Sequence, residues 1–288
     1  MKKRICFIFI LFLCLLSSSV FAASTNSLSI NSDACILVED STGDILFEKN
    51  SKEKMYPAST TKVLTALLVL EKGNLIDTVT ISNTAVSSLS GGYVTPYISA
   101  GEELTVEQLL NVLLIPSGNV AGNALAEYVS GSIDNFCVLM NSRAKELGCV
   151  NSHFTNPYGL HNENHYSCAY DLYLIAKEAM KYDVFRSIVS KTSYTLAPSN
   201  KHLRDDRTLY STNDLIKPNS SSYYEYALGI KTGYTSQAKD CLVSAATKDN
   251  MTLYAVILGA GKSDTGTSYR YNDIKKLFNY GFNNYLFR

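Results

Sequence analysis

Tyr56-Pro57-Ala58-Ser59-Thr60-Thr61-Lys62-Val63-Leu64-Thr65-Ala66 is a chain break followed by the start of a helix. Pro57-Ala58 ends whatever precedes it, and a helix is expected from about Ser59 to Lys72. That helix carries Val63, Leu64, Ala66, Leu67, Leu68 and Leu70, so it is apolar nearly all round, the mark of a buried central helix. Ser59 falls at its first turn, where free backbone N–H groups and the positive end of the dipole favour an oxygen that gains negative charge. Lys62, three residues on, lies on the same face. An apolar surrounding disfavours a lysine's charged form, and a neutral amine so placed can take the serine proton. The plain alternative for the pair alone is an N-cap serine beside a solvated lysine.

Two further polar elements follow in order. Ser117-Gly118-Asn119 comes after Ile115-Pro116, at a junction of loop and helix. A hydroxyl and an amide two residues apart can face one cavity from such a loop, the hydroxyl relaying a proton to a leaving amine and the amide holding a substrate amide. Helix capping is the alternative. Lys231-Thr232-Gly233 ends an expected strand. A lysine and a threonine on an open sheet edge suit a carboxylate, and a glycine lets a substrate backbone come close. An ordinary edge-strand lysine is the competing reading. Each element alone is weak; the three in order, each in the local context its job needs, are specific.

Around these elements the chain reads as strands, then helices, then strands and a helix. Ala34–Glu39 and Asp44–Lys49 form a hairpin about the turn at Ser41-Thr42-Gly43. The block from about Asp77 to Lys217 is expected to be helical, with a capping box at Thr105 and Gln108. Its helices are Asn119–Val129, Ile133–Leu147 stopped by Gly148, and Ala169–Met180 capped by Ser167. Strands return at Leu228–Thr232, Asp240–Thr247 and Thr252–Leu258, and a terminal helix spans about Tyr271–Asn283. The expectation is a sheet built from both chain ends, with a helical subdomain inserted and a site in the cleft between the two. Ile274, Leu277, Phe278 and Phe282 share one face of the terminal helix, read as packing on the sheet in preference to a membrane-lying face.

The chain has 288 residues, 46% hydrophobic and 18% charged, with a formal net charge of zero. No basic footprint for nucleic acid appears. Lys2, Lys3 and Arg4, the apolar run Ile5–Leu16 and small residues up to Ala22 form a secretory signal peptide. The run is short for a membrane span. Cleavage at Ala22 removes three positive charges and leaves a net charge of −3. The mature chain is thus read as residues 23–288, exported, with no general attraction to anionic surfaces. Of seven cysteines, Cys35, Cys137, Cys149, Cys168 and Cys241 remain after cleavage. Their spacing fits no zinc pattern, and an odd number leaves at least one unpaired in a monomer. Most are read as buried small apolar residues, with Cys137–Cys149 as a candidate pair. His161, Glu163 and His165 lie in a polar loop without helical support, so no metal and no cofactor are expected.

At the three elements the chain resembles the low-molecular-mass penicillin-binding proteins, the serine-type D-Ala-D-Ala carboxypeptidases. The likeness extends to Asn156-Pro157-Tyr158-Gly159-Leu160, to His165-Tyr166-Ser167 with Asp171-Leu172, and to Gly229-Ile230-Lys231-Thr232-Gly233-Tyr234-Thr235, and covers about Ser29 to Tyr285. It implies an α/β (α+β) fold of the β-lactamase/DD-peptidase type, with an antiparallel sheet flanked by helices. It implies that Ser59 is the acylated nucleophile, Lys62 its base, and Ser117 and Asn119 the pair on the second lobe. Lys231 and Thr232 would bind the terminal carboxylate, with Gly233 beside them. The N–H groups of Ser59 and Tyr234 would form an oxyanion hole. The implied partners are a peptidoglycan stem ending in D-Ala-D-Ala and β-lactams as covalent inhibitors. Many members carry a further β-rich domain and a C-terminal amphipathic anchor; neither is expected here, and a monomer is. Two positions depart from the family's habit. Val120 stands where Asp is usual after Ser-x-Asn, and Lys239 where Gly is common.

A β-lactamase shares the motifs but needs a carboxylate to activate a deacylating water. Glu163 is among the acids available, yet no Glu-x-x-Leu-Asn-like element is present. A non-catalytic penicillin or peptidoglycan sensor is disfavoured by the intact set of Ser59, Lys62, Ser117 and Lys231. Endopeptidase or transpeptidase action on the same acyl-enzyme is the nearer rival.

Overall fold

Strand β1, Ala34–Glu39, is buried along its whole length, so its two faces both pack. Ile36 and Val38 point to one core and Cys35 and Leu37 to another, the period of two that a pleated strand dictates. Strand β9, Met251–Ala260, divides in the same way, with Tyr254, Val256 and Leu258 on one side and Leu253, Ala255 and Ile257 on the other. These strands sit inside a five-stranded antiparallel sheet of order β2-β1-β9-β8-β7, where β2 is Ile45–Lys49, β7 Ala227–Thr235 and β8 Lys239–Lys248. Both chain ends thus supply the sheet, as the sequence suggests. The structure, a computed structural model, describes residues 28–89 and 98–285. The signal peptide expected at 1–22 lies outside the described residues.

Helix α8, Arg270–Asn284, covers one face of the sheet with Tyr271, Ile274, Leu277 and Phe278. Burying each such side chain is worth about 1.5–3 kcal/mol, which fixes the helix to the sheet. Its buried Asp273 accepts from the N–H groups of Asn31 and Ser32 at 3.0 and 2.8 Å and from the Ser32 hydroxyl at 2.7 Å. The start of β1 is therefore pinned to α8 by a fully used carboxylate. The opposite face carries the helical layer: α1 (Lys62–Lys72), α2 (Asn83–Ser87), α3 (Val106–Leu114), α4 (Asn119–Ser130), α5 (Ile133–Glu146), α6 (Ala169–Ala179) and α7 (Asp183–Val189). Helix α1 is central, buried from Lys62 to Val69. The capping box of Thr105 and Gln108 opens α3 as expected.

Three expectations need correction. The block 77–217 is not wholly helical. It also holds two two-stranded sheets, β3 (Thr78–Thr80) with β4 (Glu103–Thr105) and β5 (Ser193–Leu196) with β6 (Arg207–Tyr210). Strands of three or four residues leave no readable alternation, and their partners are distant in sequence. A buried ion pair at 2.6 Å from Arg207 to Glu102 fastens the two small sheets together. Second, α6 is capped by Cys168, whose sulfur accepts from the Asp171 N–H at 3.4 Å. Ser167 is taken up in a backbone bridge with Met55. Third, Ser59 does not open an α-helix. It lies in a 3-10 turn, Ala58–Thr61, and α1 proper starts at Lys62. Ala58 is left-handed (φ 47) and the Thr60 hydroxyl donates to Pro57 O at 2.6 Å, which tightens this turn.

Candidate active site

The tight turn matters because side chains three apart eclipse in 3-10 geometry. Ser59 Oγ and Lys62 Nζ are 3.0 Å apart. Lys62 is fully buried, with 0% of its surface exposed. Burial, and then the charge of Lys231, hold its pKa well below the ordinary lysine value. Its nitrogen has two other neighbours, Asn119 Oδ1 and Tyr158 O, each at 2.8 Å. Both are acceptors, so a neutral amine spends its two N–H bonds on them. In that neutral form the lone pair is left for the Ser59 hydroxyl.

Two glycines let the backbone close around this pair. A Cβ on Gly159 would stand 1.8 Å from Ala58 O, so only glycine allows the segment that presents Tyr158 O to press on the serine turn. A Cβ on Gly233 would lie 3.0 Å from both Ser59 N and Pro57 O, which sets the edge strand β7 directly beside the Ser59 N–H. Lys231, Thr232 and Gly233 are buried on that strand, whereas Tyr234 is 57% exposed. Burial, with Arg270 as a second influence, brings the Lys231 pKa down to about 7.

Asn119 begins α4, and the loop before it carries Ser117 in the left-handed region at φ 68. A non-glycine residue held there costs of order 1–3 kcal/mol and marks a position fixed by its surroundings. Ser117 Oγ is buried and has no hydrogen-bond partner among the described residues. The fold thus gathers Ser59 and Lys62, the Ser117–Asn119 loop and the Lys231–Tyr234 strand from three remote parts of the sequence.

Thr212 and Arg270 escaped the sequence reading. Thr212 lies between the Ser117 loop and β7. Its N–H donates to Ile115 O at 3.2 Å, and its hydroxyl is 2.5 Å from the Thr232 hydroxyl. Tyr271 from α8 donates to Thr212 O at 3.2 Å. Arg270 donates to Asp240 at 2.7 Å and to Gly233 O at 3.4 Å. His165 is buried, and burial pushes its pKa down to about 3. The Thr155 N–H donates to its Nδ1 at 3.0 Å, so the ring proton sits on Nε2 and is donated to the Thr61 hydroxyl at 2.8 Å. Both ring nitrogens are thereby used. Among the described residues no group of three His, Cys, Asp or Glu side chains could hold a metal. No sequence signal marks Thr212 or Arg270, since neither belongs to a short motif.

The five cysteines outside the signal segment are free thiols; Cys137 and Cys149 are not joined. Burial raises the pKa of each, to about 11 for Cys137 and about 12 for Cys35, Cys168 and Cys241. Of the two departures, Val120 is fully buried on α4. Lys239 is left-handed at φ 56, a conformation that glycine adopts more readily, and its ammonium pairs with Asp33 at 2.7 Å.

A helical layer and an antiparallel sheet that meet at a serine–lysine pair define the active-serine enzymes of the penicillin-binding class. Residues 20–262 match the family model described as D-alanyl-D-alanine carboxypeptidase, and the chain belongs to that family. It is 38% identical over 270 residues to the D-alanyl-D-alanine carboxypeptidase DacF of Bacillus subtilis, covering 91% of this chain and 64% of that one. It is 35% identical to a D-alanyl-D-alanine carboxypeptidase of a Streptomyces species, covering 85% of each. The crystal structure of the Streptomyces K15 DD-transpeptidase superposes with a TM-score of 0.77 at 33% identity, over 88% of this chain and 98% of that one. The chain therefore spans somewhat under two thirds of the length of the Bacillus relative.

Proposed function

We propose that the protein is an exported serine D,D-carboxypeptidase that removes the terminal D-Ala from peptidoglycan stem peptides and is acylated by penicillin. The observation that carries this reading is the buried Lys62 amine, its pKa held well below the ordinary lysine value, lying 3.0 Å from Ser59 Oγ. Ser59 Oγ attacks the carbonyl of the penultimate D-Ala and its proton passes to Lys62 Nζ. The oxyanion is met by the N–H groups of Ser59 and Tyr234. Ser117 Oγ, buried without a partner, relays the proton to the departing amine of D-Ala. An unused buried hydroxyl costs about 1–3 kcal/mol, which a role in turnover explains. Asn119 holds Lys62 and is within reach of the substrate amide. Lys231 and Thr232 take the terminal carboxylate, and Gly233 gives the substrate backbone room. Water then attacks the acyl-Ser59 with Lys62 again as base. A β-lactam enters the same path through its own carboxylate and amide.

Export rests on the basic, apolar and small-residue pattern of residues 1–22. Among the described residues no helix is long and apolar enough to cross a membrane. A stem peptide acceptor in place of water gives transpeptidation, the reaction for which the Streptomyces K15 DD-transpeptidase is named. The deciding experiment is product analysis on a muropeptide ending in D-Ala-D-Ala. Free D-Ala with a shortened monomer is the expected product; a cross-linked dimer as main product would replace hydrolysis with transpeptidation.

A further inference from the structure

Tyr234 follows directly on the Lys231-Thr232-Gly233 element and its side chain stands out from the rim of the cleft. Over its ring, 5.4 Å from the centroid, sits the ammonium of Lys262. Lys262 lies just past β9, where its backbone bridges to Ser268. Other cations near this rim are matched by acids. Lys239 pairs with Asp33 at 2.7 Å and Arg270 with Asp240 at 2.7 Å. Lys262 forms no ion pair among the described residues, and Asp264 in the same exposed loop does not reach it. An unmatched positive charge is thus held by an aromatic face beside the nucleophile.

The direction of a bound peptide follows from the site. With the terminal carboxylate at Lys231 and Thr232, and the scissile carbonyl at Ser59 N beside Gly233, earlier residues must run along β7 towards Thr235. At about 3.3 Å per extended residue, the residue two places before the terminal D-Ala comes level with Tyr234 and Thr235. Its side chain then meets the Tyr234 ring with its stem and the Lys262 ammonium with its end.

We propose that Tyr234 and Lys262 form a subsite that selects stem peptides whose third residue from the C-terminus carries a long side chain ending in a carboxylate, and disfavours one ending in an ammonium. This rests on the reading of the cleft as a D-Ala-D-Ala peptide site. Lys262 touches none of the reacting atoms and acts on affinity through charge. Exposed ion pairs are weak, so the discrimination is about two- to fivefold per change of charge and fades with salt.

The test uses three acylated pentapeptides ending in D-Ala-D-Ala, alike except that the third residue from the C-terminus is 2-aminopimelate, whose side chain ends in a carboxylate alone, norleucine or lysine. At low salt, kcat/KM for D-Ala release should fall in that order, by about two- to fivefold per step, and the spread should shrink at 0.5 M salt (roughly a 4 Å screening length). Lys262→Met should bring the three peptides to a common kcat/KM. Lys262→Glu should reverse the order. The same order persisting in Lys262→Glu, or equal turnover of all three by the native protein, overturns the subsite while leaving the carboxypeptidase reading intact. If no peptide releases D-Ala, that reading fails instead. The subsite is then judged by how well each peptide slows fluorescent-penicillin labelling: the same order, reversed in Lys262→Glu, sustains it, and no order overturns it.

Discussion

The hydroxyl oxygens of Thr212 and Thr232 lie 2.5 Å apart, and the backbone of Thr212 is tied at the same time to Ile115 O and to the Tyr271 hydroxyl. One threonine thus joins the Ser117 loop, the edge strand β7 and helix α8. If the Thr212 hydroxyl donates to Thr232, the Thr232 proton is left to point at a bound carboxylate. Thr212→Val keeps the shape and removes the donor. A neutral hydrogen bond is worth about 0.5–1.5 kcal/mol, so the KM for a D-Ala-D-Ala peptide should rise roughly two- to tenfold with little change in kcat. Thr212→Ser should restore it. A fall in kcat with KM unchanged would show that the contact serves some other step.

The serine–lysine geometry makes a separate demand. Ser59→Ala should abolish penicillin labelling and D-Ala release together. Lys62→Arg fills the same space with a group that stays charged, so acylation should slow by roughly a hundredfold or more, the scale of a lost general base. Labelling at near-native rate by Lys62→Arg would remove Lys62 from the role of base.

Lys231 fixes the sign of the pH dependence. Its pKa in the free protein is brought down to about 7 by burial and Arg270. Above that value the ammonium is lost and the carboxylate contact weakens. The penicillin concentration for half-labelling should therefore climb between about pH 7 and 9, and Lys231→Arg should flatten the climb. Stability moves the other way. The folded protein binds fewer protons than the unfolded chain between about 7 and the ordinary lysine value, so unfolding free energy rises with pH across that window. Urea unfolding of Lys231→Met should show a shallower rise, the remainder coming from buried Lys62, whose pKa is lowered as well.

Lys239 offers a test of backbone strain away from the chemistry. A non-glycine residue in the left-handed region costs about 1–2 kcal/mol, and glycine returns part of that as chain entropy, about 0.5–1 kcal/mol. The exposed pair with Asp33 is worth little. Lys239→Gly should raise stability by up to about 1 kcal/mol, read as a higher Tm. A drop in Tm would mean that the Asp33 contact outweighs the strain.

Much of this protein was legible before any coordinate. The run Val63–Leu70 announced a buried central helix because an apolar surface on every side has nowhere else to go. Strands β1, β8 and β9 were legible for the same reason. The Ser59, Ser117 and Lys231 elements could be found because each is short, local and chemically distinctive. The 3-10 turn at Ser59 was not, since a difference of one residue in hydrogen-bond register leaves the composition unaltered. The strands β3 to β6 were hidden because three or four residues carry no period, and their pairing is decided by partners far along the chain. Thr212, Arg270 and Tyr158 O entered the site through contacts between segments that no local pattern records. By itself the sequence picked out the side chains proposed to carry the chemistry, because reactivity belongs to residue type. Tertiary structure alone decided the lowered pKa values of Lys62 and Lys231 and the contacts of the Lys62 amine, because these depend on burial and on neighbours that only folding brings within about 3 Å.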